Sequence, residues 1–330
     1  MAENEDIYRI VNKFYPMETI DNVSYDGSRL ILTLINVEED EAKKMELTSL
    51  LKELDGVDKV IILYTSERKN EKSSGWQIRG VKKIVAVASG KGGVGKSTTA
   101  ANIAFALQKI GVKTALFDAD IYGPSVPTML GYEGRTPVSY DGKTFEPFQV
   151  MDMQTMSIGT LIAKDTPLIW RGPKACGALQ QLLSDVNWHE VDVMVIDMPP
   201  GTGDIQITLS QQVKIDGAVI VSTPQDIALI DAVKGVNMFK AVNVPILGIV
   251  ENMSYYLCPK CGHKDYVFGE NGAKRTAEKL QVDCLGEIPL DIKIRTQADA
   301  GVPIVEAEPD SQFAKAYIGI AQKIKEKLGL

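Results

Sequence analysis

The chain has 330 residues, 45% of them hydrophobic and 24% charged, with a formal net charge of −7. That length and composition suit one large α/β domain plus a small appendage. No apolar run approaches the ~20 residues that span a bilayer, and the acidic start Met-Ala-Glu-Asn-Glu-Asp lacks the basic and apolar regions of a signal peptide. The balance excludes a membrane protein and disfavours non-specific nucleic-acid binding, and cytoplasmic residence is expected.

Residues 1–66 read as a small unit. Ser28 to Ile35 has strand character, and Glu39 to Leu54 reads as a helix with Leu47, Leu50, Leu51 and Leu54 at helical spacing. Val57 to Tyr64 returns as a strand, giving a βαβ pattern. Residues 67–80 are polar and read as a linker.

The unit from 81 to 330 opens on the strand-like run Ile84 to Ala88. Gly90-Lys91-Gly92-Gly93-Val94-Gly95-Lys96-Ser97 follows, with Thr98 after it and a helical run from Thr99 to Leu107. This is G-x-x-x-x-G-K-[ST] in its strand–loop–helix context: glycines free backbone N–H groups to face a phosphate at a helix N-terminus. Lys96 is expected to reach the β- and γ-phosphates of a bound nucleotide, and the Ser97 hydroxyl to ligate Mg²⁺.

Further apolar strands are expected at Thr114–Phe117, Val191–Ile196, Gly217–Val221 and Ile246–Val250. Helices alternate with them, which predicts a doubly wound, mostly parallel sheet. Residues 139–170 fit no clean element. From Ser311, the stripe Phe313, Ala316, Tyr317, Ile320, Ile324 and Leu328 predicts a core-packing helix.

Val193 to Asp197 is a strand ending in a carboxylate, the arrangement that holds Mg²⁺ near a P-loop, and Pro199 to Asp204 suits a switch loop. Asp118 and Asp120 close another strand at the same edge. Asn252 follows a strand and has an amide able to face an adenine edge; an ordinary turn residue is the alternative.

Of four cysteines, Cys258 and Cys261 form Cys-Pro-Lys-Cys, while Cys176 and Cys284 are distant singletons that read as small buried hydrophobes. The pair supplies half of a four-thiolate site. Two subunits would complete a bridging [4Fe–4S] cluster or a zinc site. His263 leaves a one-subunit Cys/Cys/His zinc site open, and reversible disulfide chemistry is a third possibility.

The combination of the P-loop with Lys91, Asp118-Ala-Asp120-x-x-Gly-Pro-Ser, Trp170-Arg171-Gly172-Pro173, Asp197-Met-Pro-Pro-Gly-Thr-Gly-Asp204 and Cys-Pro-x-Cys resembles the Mrp/ApbC-type iron–sulfur cluster carriers. These belong to the deviant Walker A group with the MinD and ParA ATPases. The resemblance covers about residues 80–330. It implies an ATP-hydrolysing homodimer in which Lys91 reaches the partner's nucleotide, Asp120 positions the attacking water and Asp118 supports the Mg²⁺ shell. It also implies that Asn252 contacts adenine and that the cluster passes to apoproteins. Residues 1–66 resemble the small iron–sulfur assembly domain often fused ahead of such ATPases, without its Asp-Pro-Glu motif or its cysteine. A partition ATPase acting on DNA or membrane, and an ATPase with structural zinc, are the competing readings.

Overall fold

The computed structural model describes residues 4–16, 19–26, 28–35, 37, 40–54, 56–65, 78–161 and 172–330. The chain divides into two compact units, residues 1–73 and 74–330. Most of the expected linker, and the motif residues Trp170 and Arg171, lie outside the described residues.

The small unit runs α1 (Asn4–Val11), β1 (Ile20–Asp26), β2 (Arg29–Ile35), α2 (Glu41–Lys52) and β3 (Lys59–Thr65). Strands β2 and β3 pair in parallel through the α2 crossover, and β1 adds antiparallel to β2. Leu30, Leu32 and Leu34 alternate along β2 and are buried with Ile7 and Val11 of α1 and Leu47 and Leu51 of α2. That is period 2 meeting period 3.6 across one core. Helix α2 starts at Glu41 because Asp40 caps it, accepting from the N–H groups of Ala42 (3.0 Å) and Lys43 (3.2 Å). The unit is larger than the expected βαβ. Strand β1 reads Ile-Asp-Asn-Val-Ser-Tyr-Asp, too polar to announce itself.

The large unit begins with β4 (Val81–Ala88), α3 (Lys96–Lys109), β5 (Thr114–Asp118), α4 (Val126–Met129), β6 (Phe148–Val150), β7 (Met153–Ser157) and α5 (Gly172–Asp185). It continues with β8 (Val191–Asp197), α6 (Asp204–Gln212), β9 (Gly217–Ser222), α7 (Asp226–Ala241) and β10 (Ile246–Glu251). Then come β11 (Tyr256–Leu257), β12 (Lys264–Asp265), α8 (Gly272–Leu280), β13 (Cys284–Glu287), α9 (Ile292–Asp299), α10 (Ile304–Ala307) and α11 (Gln312–Leu328). Among the described residues the main sheet has the order β13-β10-β9-β4-β8-β5-β7-β6. It is parallel except for β6, which pairs antiparallel to β7.

Every residue of β5 and β9 is buried. A strand buried on both faces needs cover on both, and βαβ crossovers supply it. Helix α3 packs with α10 and α11, while α5, α6, α7 and α8 contact one another in sequence. In α11 the stripe Phe313, Tyr317, Ile320, Ile324 and Leu328 is buried as expected, with Ser311 as N-cap. No helix among the described residues is long and apolar enough to cross a membrane.

Of the stretch 139–170, residues 162–170 lie outside the described residues, and residues 139–161 hold more order than their sequence suggests. Strands β6 and β7 form a hairpin in which Val150 faces Met153, so the loop is Met151-Asp152, at φ +48° and +62°. Two consecutive positive φ values mark the turn that suits hairpin twist. The usual Asn-Gly or Asp-Gly signature is absent, which hides it.

Candidate functional site: a phosphate loop and a thiol hairpin

Strand β4 lies inside the sheet between β9 and β8. The loop at its C-terminal end therefore opens at the edge where open α/β sheets bind ligands. Gly93 (φ +82°) and Gly95 (φ +77°) adopt left-handed backbone that other residues resist. A Cβ on Gly92 or Gly93 would meet nothing within 4 Å, so the loop surrounds open space. A Cβ on Gly90 would lie 2.1 Å from the Asp231 carbonyl, because α7 abuts the loop there. Helix α3 starts at Lys96 with no side-chain cap and no acid in its first turn. Its leading N–H groups and dipole favour an anion. Ser97 and Thr98 are half-buried in that turn, as is Lys91 in the loop.

Lys96 is buried. Its Nζ donates to Asp197 Oδ1, lies 3.1 Å from Ser97 Oγ and is 3.7 Å from Asp120 Oδ2. Adjacent strands β5 and β8 place Asp118 directly opposite Asp197. Two carboxylates thus pair with one ammonium, and Asp118 lies near enough to feel its charge. Burial, and then the Asp197 charge, push the Asp118 carboxyl up to about 7. Burial also raises Asp197, with Lys96 opposing.

Asp118, expected to support the Mg²⁺ shell, is held by the chain itself. Its Oδ1 accepts from the Asp120 N–H at 3.0 Å. Its Oδ2 accepts from the Val126 N–H at 3.2 Å and the Ser157 hydroxyl at 2.9 Å. The chain itself engages both oxygens, and Asp118 orders the loop that presents Asp120. Asp120 Oδ1 accepts from the Gly123 N–H at 3.3 Å, while its Oδ2 faces Lys96. Asp197 is the opposite case. It has no solvent exposure, and among the described residues no donor meets its Oδ2 with hydrogen-bonding geometry, although the Ser97 hydroxyl lies near enough to lower its pKa. An orphaned buried carboxylate oxygen beside a serine hydroxyl is a hard-oxygen donor set that fits Mg²⁺.

The segment after Asp197 runs past the loop, with the Gly201 N–H donating to the Ser89 carbonyl at 2.9 Å. Gly203 then caps α6. Three residues on, Gln206 is 2% exposed, and neither amide atom has a partner among the described residues. Asn252, at the end of β10, donates from Nδ2 to the Val94 carbonyl at 2.8 Å. One N–H of its amide thus holds the backbone of the phosphate loop.

Cys258 and Cys261 stand at the tip of the β11–β12 hairpin. The Cys258 N–H donates to the His263 carbonyl at 2.9 Å, and the Gly262 N–H (φ +71°) donates to the Cys258 carbonyl at 2.8 Å. Backbone N–H groups of Cys261 and Lys260 point at the Cys258 sulfur and lower its pKa. Cys261 and His263 are exposed. Among the described residues no three His, Cys, Asp or Glu side chains are arranged to hold a metal. The one-subunit Cys/Cys/His site is therefore not assembled. Cys176 lies beside Thr208 and Asp204, and Cys284 is half-buried in β13. Both are distant from the pair in sequence. Ser157 and Gln206 escaped sequence reasoning, since neither belongs to a chemical motif.

This strand–loop–helix, with a carboxylate at the end of the neighbouring strand, defines a P-loop NTPase. The chain belongs to the ParA family in its NUBPL iron-transfer P-loop NTPase branch, whose family model matches residues 80–325. It is 52% identical over 251 residues to the iron–sulfur cluster carrier protein of Escherichia coli K12, covering 76% of this chain and 68% of that one. It is 49% identical over 253 residues to the mouse iron–sulfur cluster transfer protein NUBPL, covering 76% and 79%. Among solved structures, a nucleotide-binding protein of Archaeoglobus fulgidus in complex with ADP superposes with TM-score 0.62 at 39% identity, covering 72% of this chain and 93% of that one. The cell-division ATPase MinD of Pyrococcus furiosus superposes with TM-score 0.56 at 25% identity, covering 74% and 98%.

Proposed function

We propose that this protein is a Mg²⁺-dependent ATPase that carries an iron–sulfur cluster and hands it to apoproteins. The names of its relatives support the carrier role, and the thiol hairpin supplies the chemistry. The observation that carries the reading is a thiol pair on one hairpin, Cys261 exposed and Cys258 half-buried, with no third ligand gathered beside it among the described residues. A [4Fe–4S] cargo demands four thiolates. Two copies, each contributing Cys258 and Cys261, meet that demand as a homodimer.

In the nucleotide site, residues 90–98 cradle the phosphates. Lys96 leaves Asp197 for the β- and γ-phosphates, and Lys91 reaches the partner's nucleotide. Ser97 and Asp197 would hold Mg²⁺, which would neutralise the phosphate charge. Asp120 orients the attacking water, and Asp118 fixes the loop that aims it. Asn252 holds the P-loop backbone on the adenine side. The small unit has no cysteine and serves as a protein-docking or packing unit, and the protein's partners include neither nucleic acid nor membrane.

The test is anaerobic purification and reconstitution with iron and sulfide. About four iron and four sulfide per dimer, lost in Cys258→Ala and Cys261→Ala while nucleotide binding persists, support the reading. A colourless protein holding stoichiometric zinc, with no cluster formed after zinc removal, refutes it.

A further inference from the structure

The phosphate loop and the thiol hairpin are joined by a short and fully tied segment. Strand β10 ends at Glu251, and Cys258 follows seven residues later. At the near end, Asn252 is buried. Its side chain donates to the Val94 carbonyl, and its own N–H donates to the Ser222 carbonyl at 2.8 Å. Val94 C=O and Gly95 N–H belong to one planar peptide unit and rotate together. A phosphate that captures the Gly95 N–H therefore fixes the direction of the carbonyl that Asn252 reads. A Cβ on Gly95 would lie 2.2 Å from Asn252 Nδ2 and 3.8 Å from Met253 Cε, so this contact leaves no slack. Met253 itself sits at φ +53°, a left-handed conformation uncommon for a long side chain.

Beyond Met253 the segment runs against the end of β13. The Ser254 N–H donates to the Ile288 carbonyl at 2.9 Å, and the Leu290 N–H donates to the Tyr255 carbonyl at 2.7 Å. At the far end Lys264, on the return strand of the hairpin, places its Nζ 3.8 Å from the Tyr255 ring centroid and 4.8 Å from that of Tyr266. The same ammonium is 3.9 Å from Glu287 Oε2, the last residue of β13. A two-stranded hairpin of two residues per strand has little stability of its own. This cation–aromatic clasp fastens it to the sheet.

We infer that Asn252 and Lys264 are positioning residues at the two ends of a strut, through which the nucleotide state of the phosphate loop sets the exposure of Cys258 and Cys261. The inference rests on the proposed reading of the two sites and assigns their coupling. Nucleotide and cargo binding are then linked, and each changes the affinity for the other by the same factor.

The test uses the full chain, freed of metal, with iodoacetamide as probe and mass spectrometry reading Cys258 and Cys261 separately. Alkylation rates are compared with and without saturating Mg-ADP at one pH, and ADP affinity is measured in parallel. In the parent protein ADP changes the rate on the order of fivefold. Lys264→Leu keeps the parent ADP affinity, and its rates with and without ADP become equal. Lys264→Arg, which retains cation and stem, restores the difference. Asn252→Ala at saturating ADP also loses it. A hairpin that merely loosens would speed alkylation equally in both states and leave the ratio intact. That result in Lys264→Leu, or a parent ratio near one, overturns the strut, as does a protein that binds no ADP. Failure to reconstitute a cluster while the ADP-dependent ratio persists would instead overturn the carrier reading alone.

Discussion

Replacing Lys96 with Met tests the electrostatics of the phosphate-loop site without any ligand. The substitution keeps the aliphatic stem and removes the one ammonium among Asp118, Asp120 and Asp197. Removing one member of a buried ion pair costs about 3–5 kcal/mol. Protonation sets a ceiling on that figure. Asp197 has an ordinary value of 3.8. Neutralising such a carboxyl costs about 1.4 kcal/mol per pH unit above it, hence roughly 4 kcal/mol at pH 7 and roughly 2 kcal/mol at pH 5. The folded carboxyls of Asp118 and Asp197 titrate above their unfolded values. A raised carboxyl contributes stability that is fully present below the unfolded value and is lost as pH rises through the folded one. In the variant this loss deepens, because the Lys96 charge no longer opposes the burial of Asp197 and only the Ser97 hydroxyl does. Urea denaturation of parent and variant, followed by circular dichroism through the transition of the larger unit, reads the difference. The expected loss is about 2–4 kcal/mol at pH 7, shrinking towards pH 5. A variant as stable as its parent at pH 7, or one whose loss is the same at both pH values, would refute this account of the buried charges.

Two further outcomes follow from the same geometry. Gly95→Ala forces a residue with a Cβ to φ +77° against Asn252 Nδ2, whereas Gly93→Ala at φ +82° meets open space. Thermal melts should show the second costing about 1 kcal/mol and the first clearly more, and equal losses would count against the Asn252–Val94 contact. In metal-free protein, Cys258 should alkylate at lower pH than an unperturbed thiol, because N–H groups of residues 260 and 261 favour its thiolate. A pH–rate profile with an ordinary thiol midpoint would remove that cause.

Much of the site was legible because phosphate binding leaves a contiguous signature. Residues 90–97 must be a glycine loop, and a buried strand must precede it. Strands β4, β8, β9 and β10, with apolar runs buried on both faces, were readable for the same reason. What stayed hidden depends on contacts between distant residues. Ser157 matters because β7 lies next to β5 and brings its hydroxyl to Asp118, a pairing 39 residues apart. Asn252 reaches Val94 across 158 residues. The hairpin strands β11 and β12 are two residues long, too short for any periodicity. Strand β1 was missed because its polar residues give no clean alternation.

Helix α3 has a further consequence for how this protein is made. It packs against α11, and its Asn102 side chain accepts from the N–H of Val305, 203 residues later. A ribosome adding about 5–20 residues per second needs roughly ten to forty seconds to cross that interval. Throughout it the nascent chain carries the whole glycine loop with one side of the following helix bare. The loop emerges early, yet part of the cover on its supporting helix arrives only 203 residues later. Until α10 and α11 dock, the apolar face of α3 that they cover stands open to a chaperone, and the wall behind the glycine loop is incomplete.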